Sequence, residues 1–458
     1  MLNLSLTPNR SNHRMLRLSP GEHQNSPATP NACSRLVLLA CLFALCWFIG
    51  CDVPIDSFED NRLFAKRLEL TDTVELESVR RDVDTILLEL FGTPDQPRWP
   101  EYLQSNDQTS NLVSIDRLER AAGAVRSDED GVHYGLYREH CILCHGIAGN
   151  GLGATSRLLN PYPRDFRLGK FKFKSTPIGS RPTRDDLRQL LRRGIAGTSM
   201  PSFALLPDDD LEALVDYVIY LSIRGEVERG LLMRAVYELD LDAGERLIDS
   251  EQSDSMGAAQ NLTDMNSNSN YNSTVEIVSS VARKWVFAKA LKLPVVPPPD
   301  DLPIFGTELT SDAVRERLAA SIAHGRELFQ GKAANCASCH GLHGAGDGTV
   351  NDYDDWTKDW TTQAGLDPLD KQQLRPMLKL GALKPRHILP RNLQYGVYRG
   401  GSRPEDLYTC IALGIEGTPM PALPMQPENP LGLTEADVWD LVNFLLSLPS
   451  QSDGGKNP

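Results

Sequence analysis

Apolar positions along the chain recur mostly at helical spacing. Val79, Val83, Ile86, Leu87 and Leu90 follow the i, i+4, i+7, i+8 pattern, and Gly92 with Pro94 ends it, which predicts an amphipathic helix. Ser114 to Ala124 predicts a second, short helix. Apolar helices are expected at Leu211–Leu221, after Pro207 and three aspartates, and at Val438–Leu448, after Thr434-Glu435; in each, acidic residues sit where the helix dipole favours negative charge. Two further helical stretches are expected at Gly230–Leu247 and Val275–Leu293. Between them lies a polar Asn/Ser-rich segment, Glu251–Thr274, and after them Pro294-Val-Val-Pro297-Pro298-Pro299 reads as a stiff spacer. Lys170, Lys172 and Lys174 alternate with Phe171 and Phe173, giving one basic and one apolar face: a surface that steers an acidic partner, or a solvated strand edge.

Near the N-terminus, Arg10, Arg14, Arg17 and Arg35 precede an uncharged run, Leu36–Gly50, too short to span a bilayer comfortably. The run closes as Phe48-Ile49-Gly50-Cys51, which resembles a bacterial lipoprotein box. Lipidation at Cys51, plain secretory cleavage and an uncleaved anchor all deliver the chain outside the cytoplasm, to the periplasmic face of the membrane if it is held there.

A duplication organises the rest. One copy reads Cys141-Ile-Leu-Cys144-His145-Gly146, then Pro163-Arg164-Asp165-Phe166, then Gly194-Ile-Ala-Gly197-Thr198-Ser199-Met200-Pro201. The other reads Cys336-Ala-Ser-Cys339-His340-Gly341, then Pro390-Arg391-Asn392-Leu393, then Gly414-Ile-Glu-Gly417-Thr418-Pro419-Met420-Pro421. The second copy is longer between its histidine and its methionine, with the surplus around Asp352–Lys384. That insert carries Trp356 and Trp360, which either shield a buried edge or form a docking surface.

Composition narrows the chemistry. A net charge of -14 leaves no basic surplus for nucleic acid, and nine cysteines in 458 residues are too few for a disulfide scaffold. In an exported chain, a Cys-x-x-Cys-His motif reads as c-type haem attachment: two thiols add to the vinyl groups and the adjacent histidine becomes an axial ligand. A redox dithiol would need a βαβ context, and a structural zinc site would pool four ligands, both pairs together. Arg164 and Arg391, each after a proline, are either partners of haem propionates or solvated surface residues. His133, His140, His324, His343 and His387 have no ligand-like counterpart in the other copy and read as ordinary histidines. Cys410 reads as a buried small residue on the short helix before Gly414.

Both copies resemble class I c-type cytochrome domains: a helix into the attachment motif, a loop, a Gly-Thr-x-Met-Pro turn and a C-terminal helix. The segment Pro163–Pro177 also resembles a subgroup found in bacterial respiratory multi-subunit systems. The resemblance implies a mainly α fold of two tandem domains and two covalently bound haem c groups (iron). One is held by Cys141 and Cys144 with His145 and Met200 as axial ligands, the other by Cys336 and Cys339 with His340 and Met420; Met425 and Met377 are alternatives for the second. The expected organisation is an export signal at 1–50, an N-terminal extension with the amphipathic helix at 51–110, a first domain at 111–225, a connecting region at 226–303, a second domain at 304–450 and a tail at 451–458. Two saturated irons imply an electron carrier working between redox proteins, a membrane quinol-oxidising complex and a terminal oxidase or reductase. A di-haem peroxidase, which must open one iron, is the alternative; a haem-based sensor would need an output domain that the sequence lacks.

Overall fold

In this computed structural model residues 54–248, 269–349, 352–425, 428 and 432–452 are described. The export segment, Cys51, the Asn/Ser-rich residues 251–268 and residues 453–458 lie outside them. The described chain is mainly helical. Its first half contains α1 (Arg62–Asp72), α2 (Glu77–Phe91), α3 (Ile115–Ala121), a small antiparallel pair β1 (Arg126–Ser127) and β2 (His133–Tyr134), α4 (Leu136–His140), α5 (Ile142–His145), α6 (Arg184–Arg193), α7 (Asp208–Glu238) and α8 (Ser269–Phe287). The stripe on α2 is buried from Val79 to Phe91, and Gly92 caps it by donating to the Leu88 carbonyl.

Helix α7 is the hub of this half. Three aspartates open it, and α1, α2, α3, α6, α8 and the short turn Phe166–Leu168 all pack on it. The sequence placed a boundary at residue 225; the helix runs straight through it. The polar residues around that boundary are interior, with Ser222 and Glu228 1% exposed or less. Arg224 lies 3.7 Å from Glu228, and a Cβ on Gly225 would sit 2.4 Å from that of Arg167, so glycine lets the Phe166–Leu168 turn cross there. Val278, Val281, Ala282 and Trp285 of α8 join the same core as Leu214 and Leu221. The helical half of the connecting region is therefore packed on the first copy.

The second half contains α9 (Asp312–Gln330), α10 (Ala337–His340), α11 (Asp355–Trp360), α12 (Lys371–Lys379), α13 (Pro404–Leu413) and α14 (Glu435–Ser452). The proline spacer runs along its core, where Trp439 Nε1 donates to the Val296 carbonyl at 2.9 Å and Val295 and Leu302 pack inward. Helix α9 crosses α14 at Gly325, where a Cβ would lie 2.0 Å from the Asp440 carbonyl oxygen. No rotamer relieves a contact between a Cβ and backbone. Gly325→Ala should therefore force the helices apart and cost about 3 kcal/mol, measured by denaturant unfolding. A loss under about 0.5 kcal/mol, the range of ordinary surface changes, would mean the crossing is looser than described.

The insert joins the two halves. Trp360, Leu374 and Met377 form a small core with Leu63 of α1, and Asp359 accepts from Arg67 at 2.7 Å and from Arg229 at 3.0 Å. Tyr162 Oη donates to the Lys384 carbonyl at 3.1 Å, and the Arg386 guanidinium lies 3.8 Å over the Tyr162 ring. The three alternating lysines all face the second copy. Lys170 pairs with Asp355 at 2.6 Å, Lys172 lies 4.7 Å over the Trp356 ring, and Lys174 pairs with Glu416, both all but fully buried. They form neither a strand edge nor a surface open to an acidic partner: the second copy supplies counter-charges to Lys170 and Lys174 and a ring face to Lys172.

Candidate haem-binding sites

The two attachment motifs fold alike. Each closes one helical turn, with His145 N–H donating to the Cys141 carbonyl at 2.9 Å and His340 N–H to that of Cys336 at 2.9 Å, so the imidazole follows the two thiols around one turn. Gly146 and Gly341, at φ 72° and 74°, end the turns in a conformation that favours glycine. The loops then fold back in matching steps: Phe166 N–H donates to the Gly149 carbonyl, and Leu393 N–H to that of Gly344, each at 2.7 Å. These steps bring the residue after each proline to the histidine. His145 Nδ1 lies 3.1 Å from the Arg164 carbonyl, and His340 Nδ1 lies 3.0 Å from that of Arg391. A proton on Nδ1 leaves the Nε2 lone pair free for a metal. Burial reinforces this, bringing His145 down to about 4 and lowering His340, so both imidazoles are neutral.

The methionine turns are equally matched. Met200 N–H donates to Thr198 Oγ1 at 3.1 Å, and Thr198 Oγ1 donates to the Ile195 carbonyl at 2.8 Å. Met420, Thr418 and Ile415 repeat this at 3.1 and 2.7 Å. In the first copy Cys141, Cys144, His145 and Met200 line one cleft, whose walls include Phe166, Leu187, Leu191, Val215 and Val218. The Phe166 ring stacks on His145 at 4.6 Å between centroids. An apolar slot with an imidazole, a thioether and two thiols on its walls fits a haem c. In the second copy Cys336 packs against a core of Phe329, Phe444 and Trp439. Met420 and Met425 are both half-buried, Met425 against that core, whereas Met377 is fully buried in the separate small core of the insert.

The competing readings of the cysteines lose their settings. Among the described residues the His/Cys/carboxylate group within metal-binding reach is His324, Asp437 and Asp440, which includes neither cysteine pair. The strands among those residues are β1 and β2, with no βαβ unit. His324 instead ties α9 to α14 through Asp440 at 2.7 Å, His133 pairs with Glu139 at 2.5 Å, and His387 stacks on Tyr353 at 4.2 Å. His140 lines the first cleft beside the attachment motif. Cys410 falls on α13, and burial pushes its thiol up to about 12.

Arg164 also lines the first cleft, its guanidinium 3.5 Å over the Trp356 ring. Arg391 donates from Nη2 to the Val397 carbonyl at 3.2 Å, while its Nε is buried without a partner. Two residues that sequence reasoning did not place at the site are Trp356 and Arg399, which reach the first cleft from the second copy. An insert with two tryptophans was the visible signal for Trp356; Arg399 had none.

Residues 133–218 match the family model described as cytochrome c oxidase, cbb3-type, subunit III, and residues 322–407 match that of cytochrome c. The second match ends before Met420. No curated protein matches the chain. Among solved structures it is similar to a chain of the reducing HAO-like protein complex of Kuenenia stuttgartiensis, at 22% identity, covering 71% of this chain and 99% of that one, with a TM-score of 0.39. The two family matches, each containing one attachment motif, show that the protein carries two cytochrome c domains, and with them two covalently bound c-type haems.

Proposed function

We propose that the protein is a di-haem electron carrier of an extracytoplasmic respiratory chain, with Cys141, Cys144, His145 and Met200 holding one haem and Cys336, Cys339, His340 and Met420 the other. Each haem supplies a reversible one-electron change at iron. The chain's own residues set the conditions. The Arg164 and Arg391 carbonyls orient the imidazoles, the threonine-anchored turns present the thioethers, and the apolar walls exclude water. Arg164 and Arg391 are proposed as propionate partners. A weakly donating thioether favours the ferrous state, which suits a carrier of fairly high potential.

The observation that supports a carrier over a peroxidase is that His145 and Met200 line the same cleft; as the two axial ligands they would leave that iron no open position for a substrate. The proposed partners are a membrane quinol-oxidising complex and a terminal oxidase or reductase. The proposed address is the periplasmic face of the membrane, with lipid on Cys51; among the described residues no helix is long and apolar enough to cross a membrane. The test is carbon monoxide added to the fully reduced protein. Both haems should keep their low-spin spectra and bind none, and hydrogen peroxide should not oxidise a reduced cytochrome donor through the protein catalytically. Turnover of about 1 per second or faster would overturn the carrier reading.

A further inference from the structure

Four donor side chains gather at the edge of the first cleft, and two of them belong to the second copy: Arg164 and Lys172 from the first, Trp356 and Arg399 from the second. Arg164 Nη1, Trp356 Nε1 and Arg399 Nε are all buried without a hydrogen-bond partner. Unmade donors of this kind are rare in a finished structure, and each costs about 1–3 kcal/mol. Three in one place call for an acceptor.

Charge gives the same answer. Among the described residues none of Arg164, Lys172 and Arg399 forms an ion pair, whereas their neighbours Lys170 and Lys174 pair with Asp355 and Glu416. The field of Asp354 reaches all three cations and that of Asp355 reaches Arg164 and Lys172, but Asp355 is already paired with Lys170, and burial raises the Asp354 carboxyl toward its neutral form. Desolvation lowers Lys172 to about 8 even with the carboxylates of Asp354 and Asp355 nearby.

Taking the first cleft as a haem site, as proposed above, we infer that Trp356 and Arg399 of the second domain complete, with Arg164 and Lys172, a cradle for the propionates of the first domain's haem. The pair of carboxylates supplies acceptors for the orphaned donors and the missing negative charge. One haem is thus held by both domains. Trp356 also abuts the methionine turn of the second copy, since a Cβ on Gly417 would lie 2.9 Å from its ring. The residue that closes one haem site therefore packs on the ligand loop of the other.

The test is a redox titration of the purified di-haem protein, the first haem being identified by its response to Met200→His. A cation beside a haem disfavours the ferric state, so Arg399→Gln should shift the first haem's potential downward and leave the second unchanged. Trp356→Phe, which keeps the ring but removes the N–H, should shift it in the same direction by less. Arg399→Lys should retain most of the parent value. An unchanged first potential in Arg399→Gln and Trp356→Phe with both haems in place, or a shift confined to the second haem, would overturn the cradle alone. Absence of covalent haem at Cys141 and Cys144 in the parent protein would overturn both the cradle and the reading beneath it.

Discussion

Replacing Cys141 and Cys144 together by alanine should leave the protein with one covalent haem in place of two. Each attachment motif closes its own helical turn and its own loop back to a carbonyl on the following Pro-Arg segment. Neither thiol pair has a substitute nearby, because the remaining described cysteines are the other pair and Cys410 on α13. Mass spectrometry after acid–acetone extraction, which strips non-covalent haem, should read a loss of one haem per chain, and haemochrome absorbance should fall by half. Cys336→Ala with Cys339→Ala should give the complementary result. Retention of two covalent haems in either double variant would show that the motif is not the attachment site. A folding cost is also expected, since the first cleft is walled by apolar side chains that the haem would cover.

Met200→His should lower the potential of the first haem by a few tenths of a volt, within the span of about 0.8 V that axial ligands control. The exchange replaces a weakly donating thioether by an imidazole that stabilises ferric iron. The near-infrared band of methionine-ligated ferric haem should fall to about half its intensity, the second haem retaining its own, because the two ligand sets have no residue in common. Full intensity in Met200→His would exclude Met200 as the ligand. Met420→His is the matching experiment for the second haem. There Met425, packed against the second core, is the competitor; survival of the band in Met420→His together with its loss in Met425→His would assign the ligand to Met425.

What was legible in the sequence was what is local in the chain. A Cys-x-x-Cys-His turn is built within five residues, and the Thr198 and Thr418 turns within six, so their spacing carries their chemistry. The stripe on α2 was legible because one face of the helix meets one core. The course of α7 was not: Arg224, Gly225 and Glu226 look like an exit to solvent, and only the crossing of Arg167 over Gly225 and the pairing of Arg224 with Glu228 explain why the helix continues. The lysines at 170, 172 and 174 were misread for the same reason. Their partners Asp355, Trp356 and Glu416 lie some 180 residues or more further along the chain, and no local pattern announces a contact that distant. Arg399 has no sequence signal at all, because its place at the first cleft is created entirely by the docking of the insert.

Helix α7 also governs how the protein comes apart. A chain with two haem domains invites the picture of two beads that melt separately, with a string between them. Here the extension, the first haem domain and the helix that follows it lean on one rod, which has no solvent-facing side along most of its length. Loosening any one of them exposes apolar surface of the rod on which the others also pack, so they should melt as a single cooperative unit. Proteolysis of the native protein should spare residues 222–230, in the middle of that rod. Trimming the chain at residue 225 would not release a smaller cytochrome, because it would cut the first one through its core.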